Sequence, residues 1–162
     1  MLIYLDLNVY CRDYDDQTQL KIKRECKAIE NIFNLVRNGK YKLCGSFILD
    51  KENNDDTLDF RRIEVKVLLS KCSEYVGADV NILNIATEIQ KNSNAKPDDS
   101  LHLACAVFKK CDYFITCDSN FLKTIKSNYD KLQHTIGSIQ IINPIDFKEK
   151  EVLNNDTDQE KL

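Results

Sequence analysis

Four acidic residues fall where an α/β sheet would gather them. Asp6 follows the apolar run Leu2-Ile-Tyr-Leu5, and Asp118 follows Tyr113-Phe-Ile-Thr-Cys117. Ligands of open α/β sheets bind beyond the carboxyl ends of the strands, so these two carboxylates can converge. Asp99 lies in Pro97-Asp98-Asp99-Ser100, at the start of the helix that precedes the Asp118 strand, and Glu52 closes Ser46-Phe-Ile-Leu-Asp-Lys-Glu52. Carboxylates crowded at one sheet edge repel and raise each other's pKa. A hard divalent cation with oxygen ligands, Mg²⁺ or Mn²⁺, relieves that cost. Each acid also has a plainer use. Asp98 and Asp99 can cap a helix and meet its dipole. Asp118-Ser-Asn120 is an ordinary turn sequence, and Glu52 lies in a loop where most acids are simply solvated. Asp6 is hardest to explain that way, because an acid ending a buried strand needs a partner.

The elements that must position these residues can be read from periodicity. Residues 2–6 and 41–46 read as short strands, 113–117 as a strand ending at Asp118, and 139–142 as a last strand stopping at Asn143-Pro144. Helical spacing runs through 18–37, ending at Asn38-Gly39, and through about 56–72, with Leu58, Val65, Leu68, Leu69 and Cys72 inward. Further helices are expected over about 79–92 and from Pro97, the latter with Leu101, Ala104, Cys105 and Phe108 on one face. Strands alternating with helices predict an α/β fold with a mainly parallel central sheet. From Glu149 onward the chain is polar and weakly periodic, so 1–148 is expected as the domain and 149–162 as a disordered tail.

Composition narrows the classes. At 162 residues, one domain with its own core is expected. No apolar run approaches the roughly 20 residues of a membrane span. The start carries no basic n-region or cleavage site, which predicts no secretory signal and a cytoplasmic protein. The seven cysteines include no C-x-x-C pair, so they read as small apolar fillers rather than disulfides or a zinc site. A net charge of −3 disfavours a broadly basic nucleic-acid binder. That charge is unevenly placed. Residues 149–162 carry two Lys and five acids, leaving 1–148 with 21 basic and 21 acidic side chains. With four acids occupied by metal, the body would read +4, so an acidic total does not exclude a nucleic-acid substrate.

Tyr4-Leu-Asp6-Leu-Asn8, Ser46-Phe-Ile-Leu-Asp-Lys-Glu52, Asp99-Ser-Leu-His102-Leu-Ala104-Cys-Ala106 and Asp112-Tyr-Phe-Ile-Thr116-Cys-Asp118 occur in that order. Together they resemble PIN-domain nucleases over residues 2–148, including a last strand at Ile141-Ile-Asn-Pro-Ile-Asp-Phe147. The most specific part is Asp-x-Leu-His-x-Ala followed by Thr-x-Asp. The resemblance implies a flavodoxin-like three-layer α/β/α sandwich and a metal-dependent ribonuclease site. Asp6, Glu52, Asp99 and Asp118 match the acidic catalytic and metal-binding residues, with Asp50 an alternative to Glu52. Ser46 and Thr116 match supporting hydroxyl residues, and Asn8 occupies a variable motif position. Arg12-Asp-Tyr-Asp15-Asp16-Gln17 resembles a subgroup's Arg-Pro-Phe-Asp-Asp-Gln, and Asp13 in place of proline implies a looser loop. The family includes VapC-like toxins that cut RNA and are held inactive by a small antitoxin. A toxin role, an antitoxin partner and a homodimer are therefore expectations.

The chemistry agrees with a chain that has only two histidines. Two divalent ions about 3.5–4 Å apart can stabilise both attacking and leaving oxygens of a phosphodiester without a catalytic His or Cys. His102, three residues after Asp99, invites an acid–base role, but on the resembling motif it is expected to face the helix interior or a neighbour rather than to react. Arg12, Arg61 and Arg62 follow the catalytic segments most closely and are the expected phosphate contacts. Two rivals stand beside this reading. One is an inactive PIN scaffold that binds RNA or a protein. The other is a haloacid-dehalogenase-type phosphatase, since Leu5-Asp6-Leu-Asn8-Val is similar to its D-x-D-x-[TV] opening. Against the phosphatase, Asn8 stands in place of its second Asp, and Asp98-Asp99 precedes Thr116 rather than following it.

Overall fold

The computed structural model, which describes residues 1–159, places β1 (Leu2–Leu5) at the centre of a five-stranded sheet. A central parallel strand is covered on both faces, so its side chains form a continuous apolar run; Ile3, Tyr4 and Leu5 are fully buried. After β1 come α1 (Leu7–Tyr10), a 3₁₀ turn (Arg12–Tyr14) and α2 (Leu20–Arg37). The α2 helix stops where expected. Gly39 takes φ +77°, and the Gly39 and Lys40 N–H groups bond back to the Val36 and Leu35 carbonyls, a Schellman closure that favours glycine.

Next follow β2 (Lys42–Ser46), α3 (Phe47–Asn54), α4 (Asp59–Leu69), β3 (Glu74–Val76), α5 (Val80–Ser93) and α6 (Pro97–Phe108). The chain ends with β4 (Tyr113–Ile115), α7 (Ser119–Ser127), α8 (Tyr129–Ile136), β5 (Gln140–Ile142) and α9 (Pro144–Gln159). The strand order is β3-β2-β1-β4-β5, and all the pairings are parallel. The order reverses between β1 and β4. That switch point is where two crossover connections part and leave a crevice beyond the strand ends.

Several local expectations are corrected. Residues 47–54 form a helix, not a loop, because Ser46 caps it by accepting the Leu49 N–H. The helix expected from about 56 starts at Asp59. Leu58 is 56% exposed rather than inward, and Phe60, Ile63 and Val67 of α4 also face outward. Phe108, expected on the buried face of α6, is 40% exposed. The three-residue edge strand β3 carries no apolar run, whereas α7 and α8, which the sequence reading leaves out, do bury apolar residues at helical spacing, Phe121 with Ile125 and Leu132 with Ile136.

The polar stretch from Glu149, expected as a tail, continues α9 as far as the described residues reach. It is held by docking rather than by composition. Phe147 is fully buried, edge-on to Tyr41 and Tyr113. Glu151 is buried beside it, accepting the Tyr41 hydroxyl at 2.5 Å and pairing with Lys40 at 2.7 Å. Residues 160–162 of the expected tail lie outside the described residues.

Candidate functional site

Parallel register builds the first half of the site. Leu5 pairs with Ile115, and the Asp6 N–H donates to the Ile115 carbonyl at 2.9 Å. The next residue on each strand therefore emerges side by side at the switch point. Thr116 Oγ1 donates to Asp6 Oδ2 at 2.8 Å, and Asn8 Nδ2 donates to the same oxygen at 2.9 Å. The Leu7 N–H donates to Asp6 Oδ1 at 2.7 Å. Asn8 Oδ1 accepts the Cys117 N–H, tying α1 to the end of β4. Asp118 follows at once. Its Oδ1 accepts the Asn120 and Phe121 N–H groups as the cap of α7, and its own N–H donates to Thr116 Oγ1. Asp6 and Asp118 each cap the helix that follows them, α1 and α7.

The second half comes from α3 and α6. Glu52 faces the crevice from α3, and its Oε2 lies 2.8 Å from His102 Nε2. The same nitrogen stands 4.0 Å from Asp6 Oδ1. Asp50 accepts the Tyr75 hydroxyl instead, so the structure turns Glu52, not Asp50, toward the other acids. Behind His102 runs a buried polar chain. Its Nδ1 is 2.7 Å from the Tyr4 hydroxyl, which is 2.7 Å from Ser46 Oγ. Burial disfavours an imidazolium, yet the bond to Glu52 and the charge of Asp6 raise the His102 pKa above its ordinary value. The sequence places His102 toward the interior or a neighbour, and the neighbours are Glu52 and Tyr4; Tyr4 has no role in the sequence reading, because nothing in local spacing connects it to residue 102.

Asp99 projects from the first turn of α6, next to Asp98 and behind Pro97. Desolvation and the neighbouring charges of Asp6 and Asp118 push its carboxyl up to about 6. Asp6 is raised as well, by burial, against the pull of His102 and Thr116. Asp6, Glu52, Asp99, His102, Asn8 and Arg61 line a cleft of about 620 Å³. Asp118 does not line it and stands at its edge, linked through Thr116. Among the described residues, no three His, Cys, Asp or Glu side chains form a ready-made metal cage. The donor set still suits a hard cation. All four acids offer carboxylate oxygen, and Asp99 carries the repulsion that a cation would relieve.

The three arginines are already engaged by acids. Arg12 bonds Glu25 at 2.6 Å and Asp15 at 2.9 Å. Arg61 pairs with Asp56 through both Nε and NH2, and Arg62 pairs with Asp59. Arg61 alone of the three lines the cleft. The loop in which Asp13 replaces the proline carries side-chain ties to its backbone. The Gln17 amide donates to the carbonyls of Arg12, Asp13 and Asp15. All seven cysteines are free, and no described helix is long and apolar enough to cross a membrane.

No family model and no curated relative matches the sequence. Solved structures do match the fold. VapBC2 from Rickettsia felis, bound to a DNA fragment from its promoter, aligns with TM-score 0.55 and 13% identity, covering 88% of this chain and 98% of that one. FitAcB from Neisseria gonorrhoeae aligns with TM-score 0.53 and 13% identity, covering 88% and 97%. FitAB bound to the IR36 DNA fragment gives TM-score 0.54 at 13% identity, covering 88% and 95%. At that identity the likeness establishes the fold alone, an α/β architecture with a five-stranded parallel sheet.

Proposed function

We propose that this chain is a divalent-metal-dependent endoribonuclease and the toxin of a toxin–antitoxin pair. The observation that carries the reading is the charge held at the switch point. Asp6, Glu52 and Asp99 line one cleft from three elements, with Asp118 close enough for its charge to act on Asp99, and Asp99 is pushed up to about 6 by burial and by the charges of Asp6 and Asp118. A structural role rarely gathers like charges at such cost, whereas a cation site requires it. The toxin part rests on fold likeness to the VapBC2 and FitAcB complexes, and it brings a small antitoxin protein as the expected partner.

In this reading Asp6, Glu52, Asp99 and Asp118 hold Mg²⁺ or Mn²⁺. Bound cations supply the positive charge that phosphodiester hydrolysis needs at its attacking and leaving oxygens. Thr116, Asn8 and the Leu7 N–H fix the Asp6 carboxylate, so it enters the site already oriented. Ser46 acts at one remove, as the cap of the helix carrying Glu52. Arg61, at the wall of the cleft, is the phosphate contact nearest these acids. Arg12 and Arg62 shape the flanks through their ion pairs.

Purified protein tests the proposal against a single-stranded RNA with Mg²⁺, with Mn²⁺ and with EDTA. Cleavage that requires the metal and disappears in Asp6→Asn and Asp99→Asn is the expected result. Cleavage retained in both variants would overturn the site. RNA binding without turnover at any metal concentration would identify an inactive scaffold, and phosphate release from small phosphomonoesters would identify a phosphatase.

A further inference from the structure

One oxygen of Glu52 is taken by a side chain that is itself locked in place. His102 is 1% exposed, Tyr4 is fully buried and Ser46 is 1% exposed. The chain they form starts and ends on one helix. Ser46 caps α3, the Tyr4 hydroxyl joins Ser46 to His102, and His102 returns to Glu52 on the same helix. The direction of the last bond does not depend on the charge of the ring. In a neutral ring, Tyr4 donates to Nδ1 and the Nε2–H donates to Glu52. In a charged ring, Nδ1–H donates to Tyr4, Tyr4 donates to Ser46, and Nε2–H still donates to Glu52.

Two other acids show the same economy by different means. Asp6 Oδ2 is occupied by Thr116 and Asn8, and Asp118 Oδ1 by two backbone N–H groups. The other oxygen of Asp6, Oδ1, accepts one backbone N–H, from Leu7, so in these carboxylates the protein donors load one oxygen more heavily than the other. That matters for the choice of cation. Ca²⁺ collects 6–8 oxygens and commonly uses both oxygens of a carboxylate, whereas Mg²⁺ takes single oxygens and keeps its waters.

Building on the metal-nuclease reading above, we propose that His102, set by Tyr4 and Ser46, is a positioning residue that makes Glu52 a one-oxygen ligand. It thereby favours Mg²⁺ or Mn²⁺ over Ca²⁺. Glu52 has the freedom that such a restraint must remove, since its side chain is 25% exposed and α3 spans only 8 residues.

Equilibrium binding of Mn²⁺ and of Ca²⁺ by calorimetry on the full chain provides the test. The readout is the ratio of the two dissociation constants, which cancels any general effect of lost charge on divalent cations. In His102→Leu the preference for Mn²⁺ should fall by about tenfold, the range seen when an outer-shell partner is lost. His102→Gln, whose amide nitrogen falls near the place of Nε2, should keep the preference within about threefold. Tyr4→Phe, which retains the ring stacked on Phe114, should shift it in the same direction as His102→Leu. An unchanged ratio in a folded His102→Leu overturns the inference. Should His102→Leu not fold, an unchanged ratio in Tyr4→Phe overturns it. Asp99→Asn separates the two levels. Mn²⁺ affinity equal to wild type in that variant defeats the metal site itself. Lost affinity there, beside an unchanged ratio in His102→Leu, defeats only the role of His102.

Discussion

Asp99 carries a clear cost at the residue scale, because burial and the charges of Asp6 and Asp118 outweigh those of Lys96 and His102. Its folded pKa of about 6 lies above the ordinary carboxylate value of 3.8, so the folded chain binds more protons than the unfolded chain between those two values. The stability of the metal-free protein should therefore fall as pH rises from about 4 through about 6, then level off. Asp99→Asn should flatten that dependence. It should also stabilise the metal-free protein near neutral pH by about 1 kcal/mol, a figure discounted for the partial exposure of the group. Urea titrations between pH 4 and 7.5 in EDTA measure both, and a variant less stable than wild type at pH 7 would refute the charge argument. The same variant should lose metal-dependent cleavage. Thr116→Val tests the opposite kind of residue. It removes a buried donor from Asp6 Oδ2, so a loss of about 1.5–3 kcal/mol is expected in urea denaturation.

Elements divide into those the periodicity reveals and those that tertiary contacts impose. The α2 helix shows both apolar spacing and a Gly39 stop, and its observed bounds, Leu20–Arg37, lie within the expected 18–37. The α3 and α9 helices show neither, because their stability comes from a cap at Ser46 and from docking of Phe147 and Glu151. Phe147→Ala should then cost about 3–5 kcal/mol, as truncation of a buried aromatic does. Leu58→Ala, at a position expected inward but found 56% exposed, should change stability by less than about 0.5 kcal/mol. Thermal melts of the two variants side by side distinguish a docked α9 from a loosely attached one.

The whole molecule balances a near-neutral body against a concentrated acidic site. Residues 1–148 hold equal numbers of basic and acidic side chains, and the three candidate phosphate contacts are each paired with an acid. Without cations, an RNA backbone meets little unpaired positive charge near the cleft. A 2′-O-methyl RNA, which resists cleavage, should therefore bind at least about tenfold more tightly in Mg²⁺ than in EDTA at constant ionic strength. Fluorescence anisotropy measures the difference, and equal affinity in the two buffers would place the RNA contact away from the carboxylates.

The sequence by itself determined the α/β class, the order of the main strands and helices, and the carboxylates to suspect. Strands that end on acids and a helix that opens on Asp98-Asp99 are local features, and chain order suffices to show them. Which partners those acids meet was a matter of register and packing. Pairing Leu5 with Ile115 set Thr116 against Asp6, and the capped turn of α3 aimed Glu52 inward while Asp50 went to Tyr75. The tertiary structure also decided which neighbours His102 meets, making it a bridge between Glu52 and Tyr4. A hydrogen bond between residues 50 or 98 positions apart leaves no trace in local spacing, because its energy depends on burial and distance that only the folded chain supplies.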